Sequence, residues 1–364
     1  MNNDNNIDVD IDISASKTIH NTASRSVNVL RTVCIILSVA IIALLCICIF
    51  LTVKLNRHSD SPAPVKKQVI INNEPDLQQL TDLASSASDN AVTEIKDIIR
   101  TSMSSDDANV GEMLRNLYPE YIVYADSSHY RFDTISDTIS HNDYKRENVS
   151  EDEDGFITYT FEDGHTAAVG IDVSQHQGII DWQAVADYGI EFAIIRVGFR
   201  GYGSGALVED EQFVANIEGA CKAGIPVGVY FFSQAIDKNE INEEVDFILE
   251  AIAPYKVTLP VVIDIEKVED SNVRGNDISR DDRTALVKIY CERIADAGYT
   301  PMIYGNTFSL FAMLNMEELS EYAIWYAFYN GYIYYPYEMN IWQYGDKLTI
   351  PGIEGTCDMD LMMK

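Results

Sequence analysis

The sequence predicts an α/β protein. Residues 166–364 read as an irregular, TIM-barrel-like β/α barrel of eight strands and five helices, preceded by a transmembrane helix and a small α+β domain. Three observations carry this reading. From about Ala168 to Ser320, continuous apolar strands alternate with helical segments, the pattern of a parallel sheet covered by helices. Three more strands follow, joined by segments too short and turn-rich to be crossover helices. Upstream, Thr32–Val53 is an apolar run without a charge, and about 20 apolar residues suffice to cross a bilayer.

In chain order, residues 1–31 form a polar tail containing "DVDIDIS". Residues 32–53 form the transmembrane helix. The polar "KLNRHSD" that follows it lacks the small-residue cleavage site of a signal peptide, so the helix is expected to be retained as an anchor in the lipid bilayer. Residues 54–73, with "SDSPAPVKK", are a linker. Residues 74–165 form a small juxtamembrane α+β domain. Leu77, Leu80, Leu83, Val92, Ile95, Ile98 and Ile99 recur at helical spacing, and "HYRFDTI" and "GFITYTFEDG" read as strands. This domain carries no catalytic motif and is expected to be a spacer or a protein-partner module.

The barrel strands are "GIDVS", "FAIIRVG", "PVGVYFF", "LPVVIDIE", "TPMIYGN", "YAIWYAFY", "MNIWQYG" and "CDMDLM". Asp181 and Ser279 are expected helix N-caps, and Gly189, Gly224 and Gly298 the matching helix ends. The last strands connect without helices, so some are expected to run antiparallel.

Composition narrows the function. Against 57 acidic residues stand 26 basic ones, a net charge of −31, which disfavours nucleic acid and anionic membrane faces but not a neutral glycan. The six cysteines show no C-x-x-C spacing, so neither a zinc site nor a disulfide framework is indicated, and buried small side chains are expected. No cofactor or metal is expected.

Chemistry is expected at the C-terminal ends of the strands, where such barrels carry it. Asp264 and Glu266 end the fourth strand, on one face and about 6.6 Å apart along it. Asp172 ends the first strand and Asp358 lies in the last. Carboxyls crowded at one mouth raise at least one pKa, leaving one protonated while another stays ionised, as glycoside hydrolysis requires. Tyr230, Trp325, Tyr329, Trp342 and Tyr344 sit near strand ends and offer faces for sugar rings. Arg196 either pairs a buried acid or binds substrate. His176 reads as a structural or substrate-edge residue, and "YNGYIYYPYE" as a packed loop.

At these residues the sequence resembles a known family. "GIDVSQHQGIIDW", "AIIRVGFRGYGSGALVEDEQF", "GVYFFSQA", "VVIDIE", "IWQY" and "PGIEGTCDMD" resemble the glycoside hydrolase family 25 lysozymes, the Chalaropsis-type N-acetylmuramidases, over about Gly170–Met362. The resemblance implies a barrel of eight strands and five helices that cleaves the β-1,4 bond between N-acetylmuramic acid and N-acetylglucosamine in peptidoglycan glycan strands. The matching positions are Asp172, the D-x-E pair Asp264 and Glu266, and Asp358. Asp360 stands where the family usually has Asn. Glu266 would be the general acid, and retention through the substrate's own N-acetyl group is implied, with inversion as the alternative. Tyr230, Arg196, Trp325, Tyr329, Trp342 and Gln343 are expected to bind substrate. Such a substrate lies outside the membrane. It therefore sets an expected single-pass topology in the cell membrane of a bacterium, Gram-positive by expectation, with a cytoplasmic N-terminus and an external barrel. Basic residues flank the apolar run on both sides and do not decide the orientation. The competing reading is a non-catalytic wall-binding scaffold built on the same barrel.

Overall fold

A computed structural model describes residues 77–104, 109–270 and 273–364. The expected tail, transmembrane helix and linker lie outside the described residues. Among the described residues no helix is long and apolar enough to cross a membrane. Thr81–Lys364 forms one compact unit.

The barrel closes as expected. Its strands are β5 (Ala168–Val173), β6 (Phe192–Arg200), β8 (Val227–Phe232), β9 (Val261–Asp264), β10 (Pro301–Asn306), β11 (Ala323–Ala327), β12 (Ile341–Leu348) and β13 (Cys357–Met362). They are hydrogen-bonded in that order, and β13 pairs back onto β5. Neighbours are parallel from β5 to β12. Only β13 runs antiparallel, to both β12 and β5. A short strand β7 (Leu207–Glu209) adds to β6 as an antiparallel edge that the sequence pattern did not reveal.

Five helices cover the barrel: Trp182–Tyr188, Phe213–Ala223, Lys238–Ile252, Arg280–Asp296 and Thr307–Ala312. Two more precede it, Leu77–Met103 and Val110–Leu117, making seven α-helices among the described residues. The caps fall where the sequence places them. Asp181 accepts from the amides of Gln183 and Ala184, and Ser279 from that of Asp282. Gly189, Gly224 and Gly298 take the left-handed backbone conformation just past their helices.

Side-chain alternation divides the strands between two cores. Phe192, Ile194, Val262, Met302, Tyr304, Trp325 and Ile341 fill the barrel interior. Their neighbours, such as Ile263, Ile303, Tyr326 and Trp342, pack outward against the helices. Gly170 belongs to the inward series of β5. A Cβ there would lie 2.3 Å from the Phe192 ring, so that ring occupies the space a side chain would need.

Ahead of the barrel lie two antiparallel hairpins. One joins β1 (Tyr121–Asp126) to β2 (His129–Thr134), and the other joins β3 (Val149–Glu151) to β4 (Ile157–Tyr159). In the long first helix, Val92, Ile95 and Ile99 are exposed and Ile98 is half-buried. Cys291 and Cys357 are buried as expected. Cys221 is exposed, because it falls on the outer side of its helix.

Candidate active site

The inward series of each strand ends at the same mouth. On β9 it runs from Val262 to Asp264, and on β5 from Gly170 to Asp172. On β13, Asp358 and Asp360 belong to it, and Asp358 lies directly across from Asp172. A cavity of about 430 Å³ opens there. It is lined by Asp172, Asp264, Glu266 and Asp358, by Arg196, Tyr230, Trp325, Tyr329 and Gln343, and also by Phe232, Tyr304 and Asp346.

All four expected acids therefore meet, as do five of the six expected substrate contacts. Trp342 does not: its indole is fully buried and donates to the Phe328 carbonyl at 2.9 Å. Strand alternation explains this, since Gln343 faces in and its neighbours Trp342 and Tyr344 face out into the helix layer. His176 is exposed and does not line the cavity. Three cavity residues, Phe232, Tyr304 and Asp346, escaped the sequence reading. Tyr304 is the β10 residue beside Asp264 in register, a signal that strand pairing could have supplied. Asp346 follows an irregularity in β12 that breaks simple alternation.

β9 ends at Asp264. Glu266 stands two residues beyond it in the loop, not within the strand, and is partly exposed while Asp264 is buried. Burial raises the proton affinity of Glu266. Burial also raises that of Asp264, with the charge of Glu266 adding to it and Arg196 opposing. Burial again pushes Asp172 well above the carboxylate range, reinforced by Asp358 and Asp360. Asp358 rises to about 6, through burial and then Asp346. Carboxyls this close cannot all ionise, so protons are shared among them.

Polar contacts hold the cluster. Gln343 Nε2 donates to Asp172 Oδ2 at 2.6 Å, and Gln343 Oε1 accepts from Tyr304 Oη (2.8 Å) and Tyr329 Oη (2.6 Å). Trp325 Nε1 donates to the fully buried Asp360 at 2.8 Å. Arg196 Nε donates to the buried Asp210 at 2.7 Å. It thus pairs a buried acid, one of its two expected roles, and its side chain also reaches the cavity. Asp264 Oδ1 is buried with no hydrogen-bond partner among the described residues. An orphaned acceptor of this kind costs about 1–3 kcal/mol unless a ligand donor meets it. Among the described residues no group of three or more His, Cys, Asp or Glu side chains is placed to hold a metal ion.

The arrangement offers a partly buried, readily protonated glutamate beside an orphaned aspartate acceptor, with aromatic rings around them. Such a site can protonate a leaving oxygen and orient an amide N–H on a sugar.

The chain is 22% identical over 200 residues to the autolytic lysozyme of Clostridium acetobutylicum, covering 52% of this chain and 54% of that protein. It is 34% identical over 100 residues to lysozyme M1 of Streptomyces globisporus, covering 27% and 32%. The chain thus spans about half the length of the first relative and a third of the second. A family 25 glycosyl hydrolase from Bacillus anthracis aligns with a TM-score of 0.47 at 22% identity, covering 57% of this chain and 93% of that one. Residues 171–353, just over half of the chain, match the family model for glycosyl hydrolases family 25. The chain belongs to glycosyl hydrolases family 25.

Proposed function

We propose that the chain is a membrane-tethered peptidoglycan hydrolase that cleaves the β-1,4 bond between N-acetylmuramic acid and N-acetylglucosamine. The observation that carries this reading is the pair at the end of β9, a protonatable Glu266 beside Asp264 with its orphaned buried oxygen. A wall-binding scaffold would gain nothing from a buried, unpaired carboxylate, which costs stability.

In this mechanism Glu266 protonates the leaving glycosidic oxygen. Asp264 Oδ1 accepts the N–H of the substrate's acetamido group and turns its carbonyl oxygen toward the anomeric carbon. That oxygen attacks, the glycosidic bond breaks, and the proton from Glu266 leaves with the departing sugar. Glu266, now ionised, takes a proton from water as the water opens the cyclic intermediate. Asp172, tied to Gln343, facing Asp358 across the paired strands and close enough to Asp360 to feel its charge, supports the sugar and helps set how the acids share protons. Tyr230, Trp325, Tyr329 and Tyr304 present rings and hydroxyls to the sugar.

The anchor over residues 32–53 would keep the barrel near the outer face of the membrane of a bacterium, Gram-positive by this reading, and against the wall. Proton NMR of the first product tests function and mechanism together. The β-anomer appearing first supports the substrate-assisted route, whereas the α-anomer replaces it with inversion. Wall glycan that is bound but left intact favours the scaffold.

A further inference from the structure

We infer that residues 109–165, which lie outside the family match, are a positioning element of the active site, acting through the loop that carries Tyr329. The inference rests on the proposed function, because it concerns the same cavity.

The loop between β11 and β12, residues 328–340, contains no helix or strand of its own. A loop of this length needs outside support to hold one shape. Its inner end reaches the catalytic acids. Tyr329 lines the cavity, its hydroxyl donates to Gln343 Oε1, and Gln343 Nε2 donates to Asp172. The backbone of Phe328 is fixed to the same strand, its amide donating to the Gln343 carbonyl at 3.0 Å and its carbonyl accepting from the Trp342 indole.

The outer face of the loop is held by the pre-barrel segment. The Arg115 guanidinium lies over the rings of Phe328 (5.2 Å) and Tyr334 (5.0 Å), and Arg115 Nε donates to Tyr332 Oη at 3.2 Å. Arg146 covers Tyr332 from 4.4 Å. The Asn142 side chain donates to the carbonyls of Tyr335 and Tyr337, at 2.5 and 2.8 Å. The Val123 amide donates to Tyr334 Oη. These contacts come from separate parts of the segment and converge on one loop. Within that loop Tyr332, Tyr335 and Tyr337 are buried, while Tyr329 remains exposed at the rim. Arg115 grips Phe328, and Phe328 is the residue next to Tyr329. Arginine over aromatic rings is worth enough per contact to bias loop position.

Kinetics of the full chain on peptidoglycan, together with the indole NMR signals, test this. The chain has three tryptophans, and the Trp342 indole reports the position of Phe328 directly. Arg115→Met is expected to lower kcat/KM about tenfold, mainly through KM, since Tyr329 stands at the rim. It is also expected to move the Trp342 indole signal while leaving that of Trp182 in place. Arg131→Met is the control. Arg131 pairs with Asp126 on the first hairpin, and its variant is expected to match the parent. Arg115→Met combined with Tyr329→Ala should lose no more than Tyr329→Ala alone. An unchanged kcat/KM, or additive losses in the double variant, overturns the inference. A parent chain that cleaves nothing defeats the hydrolase reading instead. The Trp342 indole then decides alone: a signal moved by Arg115→Met but not by Arg131→Met supports the positioning role, and an unmoved signal ends it.

Discussion

At the scale of single residues, the acids were legible and their environments were not. Asp172, Asp264, Glu266 and Asp358 stand out because charged side chains interrupt apolar strands. Crowding among acids was the expected cause of the raised proton affinity of Glu266. In the structure burial is the cause, and burial depends on rings from distant strands such as Tyr304 and Trp325. Asp360 shows the same dependence on context. It is fully buried and bonded to the Trp325 indole, and burial lifts its carboxyl well above the ordinary range. A group whose folded pKa is raised stabilises the fold while it is protonated, below its unfolded value of about 4. It loses that contribution as pH rises toward its folded value. Asp360→Asn keeps the shape and removes the titration. Thermal melts should therefore show the variant more stable than the parent at pH ~7, with the gain gone at pH ~3.5. An equal gain at both pH values would mean that Asp360 titrates normally.

At the scale of elements, periodicity and caps gave all eight barrel strands and the five covering helices. Long apolar strands and capped helices are local signals, and the chain's own pattern is enough for them. β1, β3 and β7 were missed because each is short and defined mainly by a hairpin partner. Trp342 was misplaced for a related reason: a strand's inward face is set by its register with neighbours, which a single strand does not reveal. Register also explains Gly170. With Phe192 filling the barrel interior beside it, Gly170→Ala forces a Cβ into the ring. We expect a loss of about 1–3 kcal/mol, the usual cost of overpacking a core, read from the urea midpoint. A midpoint equal to that of the parent would mean the Phe192 ring has room to move.

At the scale of the whole molecule, the sequence sets up the expectation of a tail, an anchor, a linker, a small domain and a barrel. Contacts within the structure gather Thr81–Lys364 into one compact unit. Packing of the pre-barrel segment onto the Tyr-rich loop had no sequence signal, because it depends on residues about 200 positions apart. The proposed topology follows from the location of the substrate. Protease added to intact, wall-stripped cells should digest the barrel, while digestion only after lysis would reverse the orientation. The central claim is that Glu266 drives cleavage on the reducing side of N-acetylmuramic acid. Its most direct test is to digest purified peptidoglycan with the full chain and with Glu266→Gln, reduce the products and identify the new chain ends. The account predicts reduced N-acetylmuramic acid from the parent, with turnover lower by about 10²–10⁴-fold in a folded Glu266→Gln variant. Reduced N-acetylglucosamine ends, or near-parental turnover by Glu266→Gln, would contradict it.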